Sequence, residues 1–148
     1  MSNRLQYRIV AREGMEAMLQ PSRYLEHCSI DSKLRRLVEL RVSQINGCLY
    51  CCDLHSNQLR EEGECQQRLD ILPAWDESTF FSNRERAALR WAEEVTLVSE
   101  THVSDGAYEE VRKEFEDREL VDLTFIVANM NALNRLAVSF RSQPPRRQ

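Results

Sequence analysis

Apolar residues recur along this chain at spacings of three and four, the period at which a helix presents one face, and Gly, Pro, Asn and Asp punctuate the runs. The pattern predicts a string of helices. Residues 14–28 read as helical, but Pro21 must break or restart the run, leaving 22–28 as a second piece. Asp31 reads as the N-cap of a helix to about residue 46, with the stripe Leu34, Leu37, Val38, Arg41 and Ile45, and Asn46-Gly47 ends it. The next helix starts at once, carries Cys48 in its first turn and stops near residue 62, where Gly63 supplies the C-terminal signal.

A shorter helix over about 65–72 follows, stopped by Pro73. Ser82-Asn83-Arg84-Glu85 is a capping box, in which Ser82 accepts from the first turn and Glu85 reaches back to the cap; it opens a helix to about residue 98. Residues 105–115 form another helix. The last and longest, about 117–140, carries Leu120, Leu123, Val127, Met130, Leu133, Leu136 and Phe140. The tail after Arg141 contains Pro144-Pro145 and is expected to be frayed. Phe125, Ile126, Ala128 and Ala132 make the last helix apolar on more than one side, beyond what a surface helix of a small monomer needs. A homo-oligomer (dimer, trimer or hexamer) is therefore expected, the alternative being a central helix buried within one chain.

At 148 residues the chain fits a single domain, 1–148, with its core in about 14–141. Four Gly and four Pro, with 42% hydrophobic and 30% charged residues, exclude a disordered chain and favour an all-α fold. A net charge of −4 argues against nucleic acid, and the one basic cluster, Arg146 and Arg147, lies in the tail. No apolar run approaches the roughly 20 residues of a membrane span, and the first residues lack the apolar core of a secretory signal. A cytoplasmic protein, without a membrane partner, is the expectation.

Five cysteines is an odd number, and three of them fall in Cys48-Leu49-Tyr50-Cys51-Cys52. In a reducing compartment that spacing means redox or metal chemistry more often than a disulfide framework. At about 100° per residue, Cys48, Cys51, Cys52 and His55 fall within roughly a third of a helix circumference. A helix N-terminus lowers the pKa of a thiol in its first turn, and His55, one turn beyond Cys51, can accept the thiol proton or protonate a leaving group. A dithiol redox enzyme, a metal site and an inert helix all remain open on these grounds. Zinc is disfavoured because Cys51 and Cys52 diverge by about 100° and a structural site needs four ligands. Cys28 and Cys65 read as ordinary core or surface residues, His27 and His102 as surface or capping residues, and Trp75 and Trp91 as packing.

The run from Leu40 to Cys48, with Cys51 and His55, resembles the core motif of the alkyl hydroperoxidase D-like branch of the carboxymuconolactone decarboxylase superfamily. Further matching stretches are Leu72-Pro73-Ala74-Trp75, 85–92, 120–124 and 131–137, so the resemblance spans about 34–141. It implies a single-domain, all-helical, oligomeric fold and a thiol-dependent peroxidase of antioxidant defence. By similarity, Cys51 would attack the organic hydroperoxide or hydrogen peroxide, becoming a sulfenic acid, and Cys48 would resolve it to a disulfide. An external dithiol would reduce the pair, His55 would transfer protons, and no cofactor, metal or flavin, would be needed. The decarboxylase branch generally lacks the Cys-x-x-Cys motif.

One position departs from that pattern. The peroxidases place a relay glutamate twelve residues before the first motif cysteine, and here that residue is Arg36. Glu39, one turn on and about 60° round the helix, is a candidate partial substitute. Arg36 near the thiols would lower a cysteine pKa directly, or it is a solvated or interface cation. Cys52 is a possible competing resolving thiol. The competing class of function is non-catalytic: a redox-sensing or structural oligomeric protein in which Arg36 marks lost peroxidase activity.

Overall fold

Three short helices open the chain in the computed structural model, which describes residues 3–147: α1 (Tyr7–Val10), α2 (Arg12–Met18) and α3 (Gln20–Leu25). The break in the predicted run falls at Leu19, and Pro21 sits in the first turn of α3, where its missing N–H and fixed φ are tolerated. α3 ends at Leu25, short of Cys28. α4 (Ser32–Ile45) is capped as expected by Asp31, whose carboxylate accepts from the Leu34 N–H at 2.9 Å. α5 (Leu49–Glu61) follows, closed by Gly63 at φ +81°, a conformation that strains any residue with a side chain.

Pro73 does not stop the next helix. α6 (Gln66–Ile71) runs into a 3-10 turn over Leu72–Glu77 that takes Pro73 into its own first turn, and the bend falls at Ala74. The capping box at Ser82 opens α7 (Asn83–Thr96), with both reciprocal hydrogen bonds formed. Leu97 then separates α7 from α8 (Val98–Thr101), and His102 and Val103, at φ 52° and 55°, turn the chain towards α9 (Asp105–Arg112), which ends short of residue 115. α10 (Asp117–Phe140) has the predicted bounds, and Glu116 and Glu119 form a second capping box at its start.

α4 packs against α5, α7 and α10, so it is buried nearly all round rather than along one stripe. Leu34, Val38 and Val42 face the larger core cluster with Leu123, Ile126 and Val127 of α10. Leu37 and Leu40 face a second cluster of Leu59, Leu69, Leu72, Trp75, Phe81 and Leu89. Trp75 and Trp91 are packing residues that also satisfy their ring N–H groups, on Glu93 at 2.8 Å and Thr124 at 3.0 Å.

The ends of the chain are tied down more firmly than expected. Tyr7 stacks on Phe140 with centroids 5.1 Å apart, and the Arg4 N–H donates to the Phe140 carbonyl at 3.0 Å. Arg147 makes a bidentate pair with Asp53 at 2.7 and 2.8 Å, so the tail is not frayed up to that residue.

Asp122, fully buried on α10, fastens the loop after α3 to the core. It accepts from Tyr24 Oη at 2.7 Å, Ser29 N at 2.9 Å and Ser29 Oγ at 2.7 Å, with Arg118 at 3.5 Å. Burial pushes its pKa up, but the Ser29 N–H and the two hydroxyl donors outweigh that and hold it below the ordinary carboxylate value. A depressed folded-state pKa gives stability that is present above the unfolded value of about 3.9 and lost as pH falls through the folded one. Asp122→Ala should therefore cost about 1–3 kcal/mol at pH 7, by removing the charge-assisted hydrogen bonds that tie Tyr24 and Ser29 to α10, and the gap to the parent should narrow at pH 3. Urea unfolding of both proteins at the two pH values checks this, and an equal gap at both would deny the charge its role.

Candidate active site

The site begins at the turn between α4 and α5. Gly47, at φ +64°, reverses the chain tightly enough for the Cys48 N–H to donate to the Ser43 carbonyl at 2.9 Å. Cys48 thereby becomes the N-cap of α5 rather than a first-turn residue, and its Sγ accepts from the Cys51 N–H at 3.4 Å. A sulfur at this position meets the unpaired N–H groups and the positive end of the helix dipole, both of which favour a thiolate. One turn along, Cys51, and then His55 and Leu59, make up the buried face of α5.

Cys51 and His55 line a cavity of about 470 Å³ together with Gln58, Tyr50 and Leu54 of the same helix. α4 contributes Arg35, Arg36 and Glu39. Met130 and Leu133 of α10 and Met15 and Leu19 near the start of the chain complete an apolar wall. The size suits a small organic molecule. Cys48 lies behind Cys51, 1% exposed, beside a different cleft formed with Gly47, Leu49, Val138 and Arg141.

The two thiols differ sharply in acidity. Cys48 is lowered to about 7, first by the hydrogen bond from the Cys51 thiol and then, against its burial, by the Cys51 N–H and the Asn134 amide. Cys51 is raised, because it donates that hydrogen bond, is buried, and faces the Cys48 charge. The N-cap position and the hydrogen bond from the Cys51 N–H thus make Cys48 the more acidic thiol of the pair.

Beside them lies a second pair that shares a proton. His55 Nδ1 is 3.2 Å from Glu39 Oε2 and 3.0 Å from Gln58 Oε1. Burial raises Glu39 to about 7 despite Arg35 and Arg36, and burial lowers His55 to about 4, with the two arginines adding to the effect. Near neutrality the proton of this pair rests mainly on the carboxyl group.

Glu39 is accordingly the carboxylate that reaches the histidine. Arg36, at the family's glutamate position, instead pairs with Glu62 at 2.5 Å, and its charge bears on His55 and Glu39 rather than on the sulfurs. Cys52 points away from the cavity into a cleft beside Leu40 and Leu69, and is raised to about 11 by burial and the Cys48 charge. Among the described residues no three His, Cys, Asp or Glu side chains converge as a metal site would require. His27 and His102 are exposed and line neither the cavity nor the clefts beside Cys48 and Cys52.

Two features have no counterpart in the sequence reading. Arg8 of α1 lines the cavity mouth with its guanidinium 5.3 Å from the Tyr50 ring centroid. Asn46, Asn131 and Asn134 join in a buried network under the dithiol. The available signal was the presence of Asn129, Asn131 and Asn134 within the largely apolar stretch 125–138 of the last helix, since buried amides are kept only where they find partners.

This geometry accords with what the chain is similar to. A model of the carboxymuconolactone decarboxylase family matches residues 11–94. The chain is 39% identical over 139 residues, 94% of its length and 95% of the other's, to the uncharacterized protein YdfG of Bacillus subtilis. A crystal structure of ATU0492 from Agrobacterium tumefaciens, a protein of unknown function provisionally assigned to antioxidant defence as AhpD, matches with a TM-score of 0.96. The identity there is 34%, covering 99% of this chain and 100% of that one. An uncharacterized peroxidase-related protein from Ralstonia eutropha, with an alkylhydroperoxidase AhpD core, shares the fold at a TM-score of 0.80 and 23% identity, over 90% of this chain and 72% of that one. The chain belongs to the carboxymuconolactone decarboxylase family and has the AhpD-like all-α fold.

Proposed function

We propose that this protein is a thiol-dependent peroxidase of antioxidant defence that reduces an organic hydroperoxide or hydrogen peroxide at Cys51 and is recycled by an external dithiol. The observation that carries the reading is the contact of two proton-sharing pairs, Cys48 with Cys51 and Glu39 with His55, around one cavity. Cys51 attacks the distal peroxide oxygen because its sulfur, unlike that of Cys48, lines that cavity. Its proton passes to the Cys48 thiolate, already its hydrogen-bond acceptor, so the nucleophile is formed as it reacts.

The leaving alkoxide needs a proton, and the second pair supplies it. Neutral His55 carries its hydrogen on Nδ1, donated to Gln58 Oε1 at 3.0 Å, and leaves Nε2 as an acceptor, while Glu39 beside it holds its own proton. Transfer of the Glu39 proton to the alkoxide, in the cavity that Glu39 and His55 both line, releases an alcohol and leaves Cys51 as a sulfenic acid. The Cys48 sulfur then attacks Cys51, expelling water and forming the disulfide. Two electrons from the external dithiol restore the pair by exchange. ATU0492's provisional assignment to antioxidant defence supports the same reading.

The assembly we propose is a homo-oligomer held through the outer face of α10. Val121 and Phe125 are 48% and 50% exposed one turn apart, Ala128 continues the strip, and Tyr24 packs edge-on against Phe125 with centroids 6.2 Å apart.

Three outcomes are expected. Purified protein should consume an alkyl hydroperoxide when supplied with a dithiol, and Cys51→Ser should abolish this; a parent that oxidises to the Cys48–Cys51 disulfide yet turns over no peroxide would instead be a sensor or structural protein. Turnover should follow a narrow bell in pH near neutrality, rising as Cys48 ionises near 7 and falling as Glu39 loses its proton near 7. Glu39→Gln should erase the alkaline limb and slow turnover by about 10² to 10⁴-fold, and an unchanged profile would remove Glu39 from the relay. Finally, Phe125→Glu should shift the mass seen by light scattering towards the monomer, whereas a monomeric parent would refute the assembly.

A further inference from the structure

Burying a charge is costly unless an opposite charge and hydrogen bonds meet it, so a buried arginine short of both marks a place that a ligand can complete. Arg35 of α4 is such a residue: its side chain is 10% exposed and lines the cavity that holds Cys51. Its Nη1 donates to the Leu25 carbonyl. Its Nε is sealed from solvent and has no hydrogen-bond partner. Among the described residues its one ion pair is with Glu39, whose Oε1 stands 4.0 Å from Nε, beyond hydrogen-bond reach, while Oε2 faces His55 at 3.2 Å. Nη2 donates to no described residue and, unlike Nε, is not sealed off.

The other charges along the cavity leave this cation unanswered. Arg36 is paired with Glu62 at 2.5 Å. Glu26, just after α3, is exposed, so water screens its charge. Burial keeps the Glu39 proton largely in place near neutrality. Arg8 adds a further cation from α1, held 5.3 Å from the Tyr50 ring centroid and forming no salt bridge among the described residues. The same cavity has an apolar wall in Met15, Leu19, Met130 and Leu133.

We propose that the cavity recognises an amphiphilic organic anion: the hydroperoxide of an aliphatic carboxylic acid, whose carboxylate takes Nη2 of Arg35 while its chain lies on the apolar wall. Arg8 attracts the same charge at the mouth. That the substrate is a hydroperoxide rests on the peroxidase reading above; recognition of the carboxylate does not. In the reaction the O–O bond breaks, the distal oxygen stays on Cys51 as the sulfenic acid, and the other oxygen takes the Glu39 proton. The distal oxygen leaves as water when the disulfide forms. Two electrons from the external dithiol thus reduce the hydroperoxy acid to the hydroxy acid, and its carboxylate is unchanged. An uncharged ester would leave the guanidinium short of its counter-charge, and the site discriminates against it on that ground.

Octanoate, 1-octanol and acetate are the probes, each followed by calorimetry on the reduced full chain and by protection of Cys51 from the neutral reagent iodoacetamide. Octanoate should bind about tenfold or more tighter than either of the others, since it alone brings both the charge and the chain. Arg35→Gln should bring octanoate down to the affinity of octanol. Arg8→Gln should weaken octanoate about threefold at low ionic strength and less at high. Octanol or acetate binding as tightly as octanoate would overturn the proposal, as would a folded Arg35→Gln protein with the parent's affinity for octanoate. Should that variant fail to fold, the three probes on the parent decide. In turnover, the parent should prefer a hydroperoxy acid to its methyl ester in kcat/KM by a similar factor. A parent that reduces both alike would lose the anion site and keep the proposed function; one that binds octanoate selectively yet reduces no hydroperoxide would lose the proposed function and keep the anion site.

Discussion

Gly47 lets the chain reverse between α4 and α5 within a single left-handed residue, and the hydrogen bond from Cys48 N to the Ser43 carbonyl closes that reversal. Because of this turn, Cys48 sits at the mouth of α5 instead of inside it, and its sulfur replaces the oxygen that an N-cap serine or aspartate would supply. The acidity of Cys48, the retained proton on Cys51 and the separation of the two sulfurs between two clefts all follow from that placement. A longer linker would leave the sulfurs on the same helix while removing the contact that makes them unequal.

α4 carries the second constraint. Arg35, Glu39 and Ser43 lie at intervals of four, as a polar strip does on a solvated helix, yet all three are buried. The strip is affordable inside the protein only because each member is engaged: Arg35 with the Leu25 carbonyl, Glu39 with His55, and Ser43 with the Glu39 carbonyl and Asn134. The apolar flanks of the same helix face two separate core clusters. One helix therefore joins the halves of the core and carries the carboxyl group that meets His55.

What was legible in the sequence is what a helix encodes locally. Asp31, the Ser82 box and the bounds of α10 depend on residues within four positions of one another, and Cys48, Cys51 and His55 share one helix, so their common face could be read from spacing alone. Glu39 was placed as a subsidiary candidate because its meeting with His55 depends on how α4 packs on α5, which spacing does not contain. The same holds for Asn134, whose partners lie 88 and 91 residues away in sequence. Pro21 was read as a break or restart and does open α3 in its first turn, whereas Pro73 was read as a stop although the first turn of a 3-10 segment needs no N–H there. The kink at Leu97 and the anchoring of the tail by Arg147 arise from contacts across the fold.

The cavity is walled unequally. On one side stand α4, α5 and α10, with buried residues along their whole lengths; on the other are α1, which buries no residue, and α2 and α3, which bury one each, Met15 and Leu25. Local opening free energy follows the apolar contacts that must be broken, so the thin wall opens far more readily than the thick one. The entrance side is thus built of the helices with the fewest apolar contacts to lose, while the sulfurs, the imidazole and the amide network are carried by those with the most. Access to the cavity and the geometry of its buried polar groups thereby fall to elements of unequal local stability within one small domain.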